Sequence, residues 1–225
     1  MNIEVLETHN DDFVEKSSEN VSVYRSVRIV NSEVNRSTIG DYAYVKDSSL
    51  GNNTLINRNA FILNSKIGDG SQIGFNTKVM YAEVGKFCSI SWDCSIGGPN
   101  HNMKACTTYN LTGDRLHYLE TKCIIKDDVW MGVGVTVMRG LSIGCGSVIG
   151  SGSVVTHDVD DYEIVAGVPA RHLGWGFDEE IRRRLKESRW WELPLEVIKE
   201  NHELFSKDIN EEVLEQILIL TSHNS

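Results

Sequence analysis

The chain has 225 residues, a formal charge of −10 and 40% hydrophobic residues, enough for one substantial domain with a small appendage. The acidic balance argues against a nucleic-acid partner, which calls for a basic face, and no apolar run approaches the length that crosses a bilayer. The opening MNIEVLETHNDDF lacks the basic-then-apolar pattern of a signal peptide, so a cytoplasmic protein with no membrane partner is expected.

Residues 1–20 form an N-terminal segment. After it comes a weak rung at Val23, Ile29 and Val34, and then a strict repeat. Aliphatic residues fall at Ile39, Val45, Leu50, Ile56, Ile62, Ile67, Ile73, Val79, Val84, Ile90 and Ile96, in steps of five or six. Three steps make 17 residues, so Ile39, Ile56, Ile73 and Ile90 stack, as do Val45, Ile62, Val79 and Ile96. Two residues before each aliphatic position sits a small side chain, from Ser37 and Ala43 through to Cys88 and Cys94. Residues i and i−2 share a face of a strand, so each short strand sends one bulky and one small residue into a narrow, filled interior. Glycine often follows the aliphatic residue, as in Ile67-Gly68, Ile73-Gly74 and Ile143-Gly144. A corner conformation that strains other residues is the expected reason. The pattern predicts a solenoid of about six coils, each with three short strands and three corners, stacked about 4.8 Å apart.

The five cysteines include no C-x-x-C pair and give no disulfide framework. Cys88, Cys94 and Cys123 fall in the small inward register and are expected to be buried fillers. Cys106 is the one whose setting leaves reactivity open.

The repeat breaks once. After Ile96 the chain reads GGPNHNMKACTTYNL, and the count resumes at Ile125, Met131, Val137, Ile143, Ile149 and Val155 in sixes. Residues 97–122 are therefore an excursion, and a long loop in a compact repeat is usually functional. It carries His101, whose neutral imidazole suits removal of a hydroxyl proton near neutral pH. A rigid prism has no cleft of its own, so a binding site has to come from such an excursion or from a neighbouring subunit. Beyond the repeat, residues 175–225 read as helices. Asp178 is the expected N-cap of the first, with Ile181 and Leu185 on one face, and Pro194 is placed to start a second. Asp208 and Glu211 read as a capping box for a third, which carries Val213, Leu214, Ile217 and Leu218.

The repeating [LIV]-G-x-x-[small]-x resembles the hexapeptide-repeat acyltransferases. The closing VIGSGSVVTHDVDDYEIVAGVPARHLG of residues 148–174 looks like the end of their coenzyme-A-dependent members. The WWELP stretch, VGKFCSI at 84–90 and NHNMKACTTYNLTGD at 100–114 are similar to the xenobiotic acetyltransferases (streptogramin and type-B chloramphenicol acetyltransferases) and related sugar O-acetyltransferases. The likeness covers roughly residues 67–205. It implies a mainly β fold: a left-handed parallel β-helix, or triangular prism, over 21–174, with a protruding loop at 97–122 and a C-terminal α-helical segment over 175–225. It also implies acetyl-CoA as acyl donor with no metal, a homotrimer with active sites between subunits, and His101 as general base.

Carried over by motif, Val133, Ser151, Thr156, His157 and Arg171 would bind coenzyme A. Arg171 suits a phosphate, whereas His157 stands where many relatives place a lysine. Trp130 fits the V-W-[IM]-G motif, as a corner packer or a site residue. Asn76, Tyr109 and His117 are acceptor candidates, with Asn76 also readable as a plain corner asparagine. The function so implied is O-acetyl transfer to a hydroxyl of a sugar, a polysaccharide precursor or a similar small molecule. The repeats before residue 67 are more extensive than the resemblance implies for a drug-modifying member. The alternatives are an antibiotic (streptogramin or chloramphenicol) acceptor, or a non-catalytic scaffold. A γ-class carbonic anhydrase needs three histidines around zinc at a set spacing, which His101, His117 and His157 do not reproduce.

Overall fold

The structure is a computed structural model and describes residues 2–8, 21–99, 101, 104, 106–109 and 121–223. The chain divides into two compact units, Met1–Gly174 and Trp175–Ser225.

The first unit is a parallel β-solenoid whose inward aliphatic residues form three stacks. On the first face Val23, Ile39, Ile56, Ile73, Ile90, Met131, Ile149 and Val165 lie in register. On the second, Ile29, Val45, Ile62, Val79, Ile96, Val137 and Val155 do so. On the third, Val34, Leu50, Ile67, Val84, Ile125 and Ile143 are stacked, and Val159 bridges to Ile143. All of these side chains are buried. Eight rungs stack on the first face rather than about six, because the weak rung at Val23 and a closing rung at Val165 also join. The period is 17 residues before the break (Ile73 to Ile90) and 18 after it (Ile125 to Ile143). The open edge of the first coil is covered by strand Asn2–Glu7, which pairs antiparallel with Arg28–Val34. Such cover removes a template for unwanted strand pairing.

The small inward register is polar for a reason. Its hydroxyls capture backbone groups that the corners would otherwise leave unpaired inside the coil. Ser65 Oγ accepts from Ala82 N at 3.2 Å, Ser71 Oγ accepts from Cys88 N at 2.9 Å, and Thr77 Oγ1 accepts from Cys94 N at 3.1 Å. The inward cysteines continue the row as donors. Cys88 Sγ reaches Lys126 O at 3.0 Å, Cys94 Sγ reaches Gly132 O at 3.2 Å, and Cys123 Sγ reaches Met138 O at 3.2 Å. Burial pushes the Cys88 thiol up to about 12 and raises those of Cys94 and Cys123, so these thiols stay protonated and unreactive.

The glycine expectation needs correction. Gly68 and Gly74, which directly follow the aliphatic residue, do not have left-handed backbone. They are glycines because the next coil is too close: a Cβ on Gly68 would lie 2.5 Å from Gly85 C, and one on Gly74 would lie 2.5 Å from Ser91 C. The left-handed positions lie two residues further on, at Gly70 and Asn76.

The second unit holds helices α1 (Glu179–Ser188), α2 (Leu195–Glu200), α3 (His202–Phe205) and α4 (Glu211–Ser222). Asp178 caps α1, accepting from Ile181 N, and Pro194 immediately precedes α2. The cap of α4 is Asn210 rather than Asp208. Its extended backbone lets Oδ1 accept from Val213 N at 2.9 Å, while Glu211 pairs with Arg184 of α1 at 2.6 Å. Among the described residues no helix is long and apolar enough to cross a membrane.

Asp128 occupies a corner with φ 57°. Burial, with Asp127 beside it, pushes its carboxyl up to about 7. A folded carboxyl that holds its proton more tightly than the unfolded one favours folding at low pH. That advantage is lost as pH rises from about 4 to 7, and above this range the ionised group is a net cost. Asp128→Asn keeps a residue that tolerates the left-handed corner and should raise stability at pH 8 by on the order of 2 kcal/mol, with little change at pH 4. Denaturant unfolding at the two pH values checks this, and an equal change at both would contradict it.

Candidate functional site

Face two, built from strands such as Ser95–Ile96, Thr136–Val137 and Val154–Val155, is framed by two corners, and the expected site residues fall on both. At the corner leading into it, the left-handed positions run Asn59, Asn76, Asp93, Gly134 and Gly152. Asn59 Nδ2 donates to Asn76 Oδ1 at 3.1 Å, and Asn76 Nδ2 donates to Asp93 Oδ1 at 3.0 Å. The Asn76 side chain is thus part of a structural ladder. From Gly134 onward the corner is bare, and a Cβ on Gly134 or Gly152 would meet nothing within 4 Å. Val133 and Ser151 immediately precede these two glycines on successive coils, both exposed. One coil earlier in the same line is Trp92, 52% exposed and tilted against Phe75 at 5.7 Å between centroids. Trp130 is 56% exposed on the outer side of face one, between Ser89 and Val148. It therefore does not pack a corner.

The opposite corner of face two is where the excursion leaves, after Ile96 and Gly97. Two coils later on that corner, Thr156, His157 and Arg171 form one hydrogen-bonded group. Arg171 Nη1 lies 3.2 Å from His157 Nε2, and Thr156 Oγ1 lies 2.8 Å from His157 Nδ1. A guanidinium can only donate, so Nε2 accepts and the proton of the neutral ring sits on Nδ1, directed at the threonine hydroxyl. Arg171 Nη1 also donates to Ala170 O at 2.9 Å. His157 is therefore a support that orients the exposed guanidinium, a role that a lysine, repelling Arg171, could not fill.

In the excursion itself, His101 is exposed and its Nδ1 lies 2.9 Å from Thr108 O. A carbonyl can only accept, so Nδ1 carries the proton and the basic lone pair belongs to Nε2. Tyr109 follows at 74% exposure, its backbone N donating to Thr107 Oγ1 at 3.1 Å. Cys106 is exposed. His117 lies outside the described residues. Among those residues no group of three or more His, Cys, Asp or Glu is placed to hold a metal ion.

Sequence reading missed Arg139. Its guanidinium lies 4.4 Å over the Tyr81 ring, and its Nε donates to Thr121 O at 2.9 Å, where the excursion rejoins the solenoid. Among the described residues, both Nη atoms are buried without a hydrogen-bond partner. The residue ties the foot of the excursion to the Tyr81 ring through one exposed hydrogen bond and one cation–π contact, each worth about 1 kcal/mol.

No family model matches the chain. A probable macrolide acetyltransferase of Lysinibacillus sphaericus is 33% identical over 142 residues, covering 57% of this chain and 79% of that protein. A chloramphenicol acetyltransferase of Escherichia coli is 46% identical over 77 residues. This match covers 34% of the present chain, which spans little more than a third (37%) of the length of that enzyme. Among solved structures, AntD, an N-acyltransferase from Bacillus cereus in complex with a dTDP-sugar and coenzyme A, superposes with a TM-score of 0.47 at 19% identity, over 75% of this chain and 88% of that one. The solenoid with a single broken coil is the architecture of a hexapeptide-repeat protein. The chain belongs to the acetyltransferase family that includes the Lysinibacillus sphaericus protein.

Arg139→Ala should free the foot of the excursion. Limited proteolysis should then cut within residues 97–122 about tenfold faster, while the melting temperature falls by no more than about 8 °C. An unchanged cleavage rate would show that Arg139 does not hold this segment.

Proposed function

We propose that this chain is an acetyl-CoA-dependent O-acetyltransferase acting on a hydroxyl of a sugar or polysaccharide precursor, with His101 as general base. The observation that carries the reading is the contact of His101 Nδ1 with Thr108 O, because it leaves Nε2 as the basic nitrogen in the one segment that breaks the repeat. His101 Nε2 takes the proton of the acceptor hydroxyl as its oxygen attacks the thioester carbonyl. It then returns that proton to the departing thiolate, so the products are an acetyl ester and the free thiol. Coenzyme A supplies the activated acyl group. The residues present fit it: Arg171 offers an oriented, exposed guanidinium to a phosphate, and bare Gly134 and Gly152 leave an open strip beside Val133 and Ser151. Because this strip is an open outer face, a second copy of the chain closes it in our reading, giving a homotrimer with sites between subunits. Acetyl-CoA is a cytoplasmic metabolite, and we place the protein there.

An antibiotic acceptor is the second reading, favoured by the names of the macrolide and chloramphenicol relatives. We prefer the sugar reading on the coils before residue 67, which are a substantial part of the solenoid.

The test is a screen of sugars, nucleotide sugars, chloramphenicol and streptogramins, with free thiol released from acetyl-CoA as readout. His101→Ala should lower kcat/KM at least about 100-fold and leave the assembly state unchanged in sedimentation. Nearly full activity in that variant would remove His101 from the mechanism.

A further inference from the structure

The corner from which the excursion departs carries a groove that the transfer chemistry does not use. Its left-handed positions run Asn31, Asp47, Asn64 and Tyr81, one on each of four successive coils, with φ between 45° and 52°. The backbone ladder beside them continues from Asn64 N→Lys46 O through Tyr81 N→Leu63 O to Cys123 N→Tyr81 O. The line of corners thus leads directly to the foot of the excursion. A cavity of about 570 Å³ lies along this line, bordered also by Lys66 and, at its excursion end, by Lys122.

The lining decides what the groove suits. Ligand pockets for drug-like molecules are mostly apolar, yet among the described residues no aliphatic side chain lines this one. Amides and carboxylates recur with the coil spacing of about 4.8 Å, and two are linked, Asn31 Nδ2 donating to Asp47 Oδ1 at 2.7 Å, while the Ser48 and Ser65 hydroxyls are buried on backbone groups. Lys122 is paired with Glu83 at 2.8 Å outside the lining, and Glu33 and Asp47 outnumber Lys66, which disfavours an anionic ligand. The single aromatic ring, Tyr81, is held in place by Arg139. A row of amides and carboxylates with one ring, all able to hydrogen-bond or stack on sugar units, matches a linear, uncharged, polyhydroxylated chain.

We propose that this groove binds a neutral oligosaccharide, the distal units of an acceptor whose reacting end lies at the excursion. The placement of the reacting end rests on the sugar-acceptor reading above; binding in the groove does not.

The test uses the full chain and three probes, maltohexaose, cellohexaose and chitohexaose, with affinity measured by saturation-transfer NMR. Ser49→Trp fills the groove from an outer strand position that accepts aromatic residues. Gln72→Trp, on face one, is the control for folding. At least one hexasaccharide should bind the wild type, bind Ser49→Trp about tenfold or more weakly, and bind Gln72→Trp unchanged. Failure of all three probes to bind, or equal affinity for the wild type and Ser49→Trp, overturns the groove assignment. Acetyl transfer to monosaccharides separates the two readings. If it persists in both variants while no hexasaccharide binds, the function stands and the groove falls. If hexasaccharide binding follows the groove variant while no sugar is acetylated, the groove stands and the sugar acceptor falls.

Discussion

Where Gly68 meets Gly85 and Gly74 meets Ser91, successive coils approach so closely that a Cβ would sit 2.5 Å from the neighbouring backbone. Everything else in the first unit depends on this contact. It brings the stacked isoleucines into register and the inward hydroxyls within reach of the backbone amides of the next coil. It also leaves only the corners free to vary, since an insertion within a strand would displace a stack on every later coil. An excursion can therefore leave only at a corner. The one here does so between Ile96 and Ile125 without disturbing the pairing of Val84 with Ile125 or of Ile96 with Val137.

A rigid frame of this kind turns small hydrogen-bond choices into chemical ones. Two histidines of the candidate site have their proton position decided by a partner that can play only one role. Thr108 O can only accept, which assigns the proton to Nδ1 of His101; Arg171 can only donate, which makes Nε2 of His157 an acceptor. The first arrangement suits a base and the second suits a support for an exposed guanidinium. They stand at the same corner of face two, on coils separated by one that carries Arg139, which ties the excursion to Tyr81. His101, Arg171 and the polar groove thus lie along one edge of the solenoid, with Val133 and Ser151 across face two from them.

The stacks and the break were legible in the sequence because each inward position is read independently: an isoleucine every 17 residues needs no knowledge of its neighbours. What escaped the sequence was whatever depends on two coils at once. Glycine after the aliphatic residue looked like a corner conformation, but its cause is the backbone of the next coil. Arg139 and Tyr81 are 58 positions apart in the chain and meet only because the excursion inserts between their rungs. Asn76 resembled a possible acceptor contact until its amide was found bonded to the rungs before and after it. The cap of α4 fell two residues from its expected place because Asp208 and Asn210 are both good caps in isolation, and packing of Val213 and Leu214 decides where the helix begins.

The central claim is that the broken coil and face two make up one site. Hydrogen–deuterium exchange with and without coenzyme A tests this without requiring a known acceptor. The account predicts slower exchange at residues 133–134 and 151–157, around Arg171, and in the excursion near His101, with the third face unaffected. Protection confined to the helical unit at 175–223, or absent from face two while coenzyme A is bound, would contradict it.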